Sequence, residues 1–193
     1  MFYSHLEPTL DNARLLFGQK KYKATIDLCR KILIAEVDSI DALNLISKAN
    51  LALNRTNEAI SYLTKALNLA PDNCEILVEI SNIYKKSGEI KLAKNYLHKA
   101  ISINNYFVPA LINLGIIELC SGDKQKSLSM LIRATEISPE FVTAWFYLAN
   151  SYFQLGKYKE ALISCQKAIQ LEPNLFYSHF LLSTILIAEK KLE

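Results

Sequence analysis

Seven side chains of this 193-residue chain are cysteines or histidines, types that serve as nucleophiles or metal ligands: Cys29, Cys74, Cys120 and Cys165, and His5, His98 and His179. A C-x-x-C spacing would signal a zinc site or a redox pair, and no two of these cysteines stand at that spacing. Scattered single cysteines in a helical chain read as small core hydrophobes. As free thiols they suit a reducing compartment, so a cytoplasmic location is expected. Neither His98 nor His179 has a cysteine or paired carboxylates at ligand spacing. No G-x-S-x-G, H-E-x-x-H or glycine-rich phosphate loop occurs. The expectation is a chain without catalytic residues, metal or cofactor.

Composition narrows the class further. Hydrophobic residues make up 51% and charged residues 21%, the balance of a globular domain rather than a disordered segment. Gly and Pro number only five each, too few for the turns of a sheet protein of this length, so the elements are expected to be helical. A net charge of +3, with no basic run longer than two, does not point to nucleic acid. The N-terminus lacks the basic-then-apolar pattern of a signal peptide. The longest uncharged stretches, 101–117, 141–156 and 173–188, are short for a membrane span and broken by polar residues.

What positions the side chains is a repeat. Pro139 and Pro173 are 34 residues apart, and Pro71 lies two such steps before Pro139. Asn105 and Val37 stand in the same column. Ala66, Ala100, Ala134 and Ala168 keep the step, as do Ala59, Ala93, Ser127 and Ala161, and Gly88, Gly122 and Gly156. Such self-similarity is the signature of stacked helical repeats. Glycine takes the left-handed conformation that ends the first helix of each pair, helix A. The alanine columns let helix A and its partner, helix B, approach closely. Leu148, Tyr152 and Tyr158 fill the space between copies, and proline stops helix B.

The copy at 142–175 reads Trp145-x-x-Leu148-Ala149-x-x-Tyr152, Gly156-x-Tyr158, Ala161-x-x-x-Cys165, Ala168 and Pro173. This resembles the tetratricopeptide repeat consensus, with Ala in place of one Gly and Cys in place of one Phe. The register divides the chain, read as one domain, into copies 6–39, 40–73, 74–107, 108–141 and 142–175, and a partial sixth at 176–193. Copy one departs most, with Lys20 in the glycine column, Thr25 and Ile32 in the alanine columns and Val37 for proline. The resemblance implies an all-α, right-handed α-solenoid of stacked antiparallel helix pairs with a concave and a convex side. It also implies a module that binds a protein or peptide in the concave groove.

In that family the concave wall is formed by positions 2, 5, 6, 9, 12 and 13 of helix A, which share one helical face. Here the first three copies place Glu7, Arg14, Asp41, Asn44, Lys48, Glu75, Glu79, Asn82, Lys85 and Lys86 on it. The later copies place Ile112, Asn113, Ile116, Phe146, Tyr147, Asn150, Phe153, Tyr177, Phe180 and Leu181 there. A polar half and an aromatic half are thus expected. Asn82, Asn113 and Asn150 offer donor and acceptor together, matching a peptide backbone. The expected peptide-binding set is Asn82, Ile112, Asn113, Ile116, Phe146, Tyr147, Asn150, Phe153, Tyr177 and Phe180. A clamp for a C-terminal carboxylate is not expected, because Val78, Thr143 and Tyr147 stand where its cations belong. The alternative reading is a non-catalytic repeat domain that presents substrate within a larger glycosyltransferase, sulfotransferase or oxygenase.

Two further expectations concern single residues and the last helix. His98 faces solvent, whereas His179 shares the column of Trp145, Leu111 and Leu77 and is expected to pack. Helix 176–189 is apolar almost all round. Leu182 and Leu186 are expected to pack on the fifth copy, leaving Phe180, Leu181, Ile185 or Ile187 in water. Either the chain continues, with a sixth helix B beginning near Lys191-Leu192, or two chains pair end to end through this helix.

Overall fold

The computed structural model describes residues 7–190. The expected start of copy one at Leu6, His5, and the expected helix start at Lys191-Leu192 lie outside the described residues. Eleven helices and no strands occur among them: α1 (Leu10–Gly18), α2 (Tyr22–Ala35), α3 (Ile40–Ala52), α4 (Thr56–Leu69), α5 (Cys74–Lys86), α6 (Ile90–Ile103), α7 (Val108–Cys120), α8 (Lys124–Ile137), α9 (Val142–Gln154), α10 (Tyr158–Leu171) and α11 (Phe176–Lys190). Odd-numbered helices are the A helices and even-numbered ones the B helices.

The chain forms two compact units, 1–87 and 88–193. In the first, α1 packs on α2, α2 on α3, α3 on α4 and α4 on α5, and α1 also touches α3. In the second, each helix from α6 to α11 packs on the next, and α9 touches both α7 and α11.

The turns between A and B helices show why the 34-residue columns exist. Gly88, Gly122 and Gly156 have φ of 80°, 87° and 72°. Lys20 and Asn54 hold the same column and the same conformation, each with φ 59°. The turn overrides the cost of a side chain there, about 1–2 kcal/mol relative to the right-handed region. Four of these turns carry the helix-ending bond from an amide to the carbonyl five residues back: Lys21 to Leu16, Arg55 to Asn50, Asp123 to Glu118 and Lys157 to Tyr152. The B helices end two residues before Pro71, Pro139 and Pro173, and equally before Val37 and Asn105. At Asn105 the turn is held by its neighbour, whose Asn104 Oδ1 accepts the Tyr106 amide at 3.0 Å.

Inside the pairs, residue sizes compensate. Helix A presents a small residue to a helix B residue sixteen positions on. Copies one and five use Ala13 with Cys29 and Ala149 with Cys165, and copy two uses Ser47 with Leu63, all fully buried. Copy four uses Gly115, where an added Cβ would lie 2.8 Å from Leu131 Cγ. Ser127 departs from its alanine column because Ser151 replaces an isoleucine opposite it, and the two buried hydroxyls bond at 2.9 Å.

The core role expected of the four cysteines holds for two of them. Cys29 and Cys165 are buried, and burial pushes both thiols up to about 11. Cys74 is half-buried, and Cys120 is exposed because it sits on the last turn of α7. His98 is exposed. His179 is not a packing residue: it is exposed, and its Nε2 lies 2.7 Å from the Pro173 carbonyl. Trp145, one period earlier, donates its indole N–H to the Pro139 carbonyl at 2.8 Å. The column therefore closes the preceding loop with a ring N–H wherever the residue has one.

The last helix also differs from expectation. Ser178, Leu181 and Ile185 form its buried face, against Ala149, Ala161 and Cys165. Leu182 is half-buried on the same cluster, whereas Leu186 is 47% exposed. An apolar stripe at steps of three and four runs through 178, 181 and 185, so Leu186 falls outside it.

Candidate functional site

The second unit carries the aromatic wall on α9 and α11, with Ile112, Asn113 and Ile116 on α7. Phe146 and Tyr147 meet edge to face with ring centroids 5.1 Å apart. Phe146 packs on the Ala149, Cys165 and Leu181 cluster, and Tyr147 on the cluster of Leu128, Leu131 and Leu148. Each ring is half-buried, so the protein itself holds its rotamer. Phe153 is held likewise against Tyr158, at 5.9 Å. On α11, Tyr177 and Phe180 are 67% and 65% exposed. Both contact the ring of Phe176, itself 71% exposed, at 5.9 and 6.4 Å. Sequence reasoning omitted Phe176, although its spacing of four from Phe180 puts both on one helical face.

Other members of the expected set are already engaged. Ile112 is only 6% exposed and belongs to the core of Val108, Leu111, Ala134 and Ala144, with Ile116 half-buried beside it. Asn113 donates its amide to the Pro109 carbonyl at 2.9 Å. Asn150 Oδ1 accepts from Gln154 at 3.3 Å. Cys120 lies beside Tyr147, whose phenol is pushed up by burial and then by that thiol. The thiol thus stands at the edge of the aromatic wall, at a position that sequence reasoning assigned to the core.

Asn82 belongs to the first unit and the rest of the set to the second. It is half-buried and lines a cleft of about 440 Å³ with Lys48, Leu51, Asn54, Thr56, Glu79, Ile83, Lys86 and Ser87. A neighbouring cleft of about 200 Å³ holds Arg14, Asp41, Asn44 and Glu75, and shares Lys48 and Glu79. Four charges of this wall pair with one another: Arg14 Nη2 lies 2.9 Å from Asp41 Oδ2, and Lys48 Nζ lies 3.1 Å from Glu79 Oε1. Each pair joins consecutive A helices, which no short motif reveals. Asn44 Oδ1 is buried without a hydrogen-bond partner among the described residues.

No group of three or more His, Cys, Asp or Glu among the described residues is placed to hold a metal. No described helix is long and apolar enough to cross a membrane.

The repeat pattern and the helix pairs agree with comparisons to known proteins. The tetratricopeptide repeat profile matches residues 40–73, 75–107 and 142–175. No curated protein matches in sequence. Among solved structures, MamA superposes with a TM-score of 0.70 at 22% identity, covering 83% of this chain and 94% of that one. YrrB, described as a TPR protein with an unusual peptide-binding site, gives 0.66 at 21% identity over 89% and 88%. The APC/C hetero-tetramer Cut9–Hcn1 gives 0.79 at 18% identity over 94% and 36%. At these identities the likeness establishes the all-α solenoid fold and nothing finer. With the matched segments spanning just over half of its residues, the chain belongs to the tetratricopeptide repeat family.

Proposed function

We propose that this chain is a protein-interaction module that holds a peptide or partner helix on the aromatic wall of its second unit. One observation carries the reading: Phe176, Tyr177 and Phe180 stand together well out in water on α11, which touches the helix that holds the half-buried Phe146 and Phe153. A contiguous exposed apolar patch of this kind marks a contact surface. Apolar ligand side chains bury against these rings, as in helix-in-groove recognition. The backbone-binding role rests on Asn150, whose Oδ1 accepts from Gln154 while its Nδ2 points no hydrogen bond at that neighbour. Asn82 serves its own polar cleft in the first unit. YrrB supports the reading as a relative by fold that is described as having a peptide-binding site.

The test uses residues whose loss spares the core. Peptides selected on the whole protein from a displayed library are measured against Tyr177→Ser/Phe180→Ser. A loss of tenfold or more in affinity, with unchanged helical circular dichroism, is expected. Unchanged affinity overturns the reading. Bound peptide is also expected to slow alkylation of Cys120, the exposed thiol beside Tyr147. A second reading, pairing of two chains through α11, is supported by Leu186 and by Ile187, which is 59% exposed. Light scattering over a concentration series tests it, and a monomer at every concentration removes it.

A further inference from the structure

The two faces of the first unit treat charge differently. On the wall of its A helices, Arg14 is paired with Asp41 and Lys48 with Glu79. On the B-helix side, between α2 and the start of α4, a notch of about 280 Å³ is lined by Lys23, Ile26, Asp27, Arg30 and Arg55. Three cations there face one carboxylate. Asp27 is 3.9 Å from Arg30, the far limit of an ion pair, and is largely exposed. The side chains of Lys23 and Arg55 have no carboxylate partner among the described residues. The surroundings add to the imbalance: residues 20–31 contain Lys20, Lys21, Lys23, Arg30 and Lys31 against Asp27 alone. Lys65 lies over the Tyr62 ring at 5.1 Å, and Tyr62 in turn orients Arg30. Cations that outnumber their counter-charges raise the local anion concentration.

The notch has a formal charge of +2, three cations less Asp27. A phosphate monoester carries about −1.5 to −2 at pH 7 and offers three acceptor oxygens. A single carboxylate matches neither that charge nor two guanidinium forks. Buried Ile26 supplies an apolar side for the carbon that bears the ester. We propose that this notch binds a phosphate monoester dianion, presented as a phosphorylated side chain of a partner protein. The site is on other helices than the aromatic wall, so it stands or falls independently of the reading above.

The experiment follows backbone amides of the whole 193-residue protein by NMR at constant ionic strength. The probes are inorganic phosphate, a short acetylated phosphoserine peptide, its unphosphorylated form and a double-stranded oligonucleotide. Saturable shifts confined to residues 22–31 and 55–58 are expected with the phosphopeptide, and weaker shifts at the same residues with inorganic phosphate. None are expected with the unphosphorylated peptide. Arg30→Gln/Arg55→Gln should weaken phosphopeptide binding at least tenfold, with Lys23→Gln as the milder variant should the double one fail to fold. Lys86→Gln should leave it unchanged. Binding should weaken from pH 7 to pH 5 as the phosphate gains its second proton, near pH 6. Equal shifts by both peptides overturn the proposal, as does tighter, unlocalised binding of the oligonucleotide. Undiminished binding in the arginine and lysine variants does so too.

Discussion

The A-helix walls of the two units use the same helical positions to opposite ends. In the first, Arg14 is tied to Asp41 and Lys48 to Glu79, each across neighbouring A helices. In the second, the equivalent surface is a set of rings, three of them exposed on α11. Charges closed in this way are already spent on one another, and exposed pairs contribute about 0–1 kcal/mol each to stability. A wall of rings gains only when something covers it. The units thus share a scaffold and differ in what they still have to bind.

Their cores are expected to behave alike, and the largest effect tests this. Each unit buries one thiol, Cys29 or Cys165, raised from near 9 to about 11. A raised value means that the stabilising preference for the neutral thiol is fully present below pH 9. It is lost as pH climbs through 11, because the unfolded chain ionises first. Urea denaturation should show stability falling between pH 9 and pH 11 by up to about 2 kcal/mol per thiol. Cys29→Ala and Cys165→Ala should each remove one share of that slope. A flat profile would mean that the thiols are open to solvent.

Next comes ligand affinity, where the two walls should part. Tyr177→Ser/Phe180→Ser is expected to cost tenfold or more, about 1.4 kcal/mol upward. Asp41→Asn/Glu79→Gln in the first unit should change the same affinity less than threefold. Equal losses measured by calorimetry would erase the distinction between the walls.

The second unit does hold an ion pair, but away from the rings. Glu118 is buried and meets Lys94 Nζ at 2.7 Å. Glu118→Gln leaves a partly buried ammonium without its counter-charge and should destabilise by about 1–3 kcal/mol. Glu79→Gln, at the more exposed pair of the first unit, should cost under about 1 kcal/mol. Chemical denaturation of the two variants makes that comparison sharp.

The smallest effect lies in the turns. Lys20 and Asn54 take the left-handed conformation that glycine supplies in the second unit. Lys20→Gly and Asn54→Gly are expected to stabilise by about 0.5–1 kcal/mol, and Gly122→Ala to destabilise by a similar amount or more. Thermal melts that move in the other direction would show that the Lys20 or Asn54 side chain contributes more than its strained backbone costs.

Much of the architecture was legible because it is periodic. Gly115, Ala149, Leu131 and Cys165 recur at fixed steps since each meets its partner within one helix pair, and such contacts leave columns in the chain. The wall's division into charged and aromatic halves was legible for the same reason, since wall positions follow from helical phase alone. The orientation of α11 was not. A helix apolar on nearly every side carries no phase to read, so Leu181 and Ile185 could not be told from Leu186 in advance. Asn113 and Asn150 looked like free amides, yet each bonds within its own helix. Which of several local acceptors an amide finds is set by rotamer, not by spacing.

The sequence by itself determined the repeat, its 34-residue step, the helix pairs and the family, because these rest on contacts that recur with the chain's own period. Tertiary structure alone decided which charges are closed and which remain open. Arg14 and Asp41 are 27 residues apart and Lys94 and Glu118 are 24 apart, so each pair exists only once two helices are packed. The cations of Lys23, Arg30 and Arg55, which outnumber Asp27, come together the same way, from α2 and from the residue that precedes α4. Electrostatic pairing depends on distance in space, and only the folded chain supplies that distance.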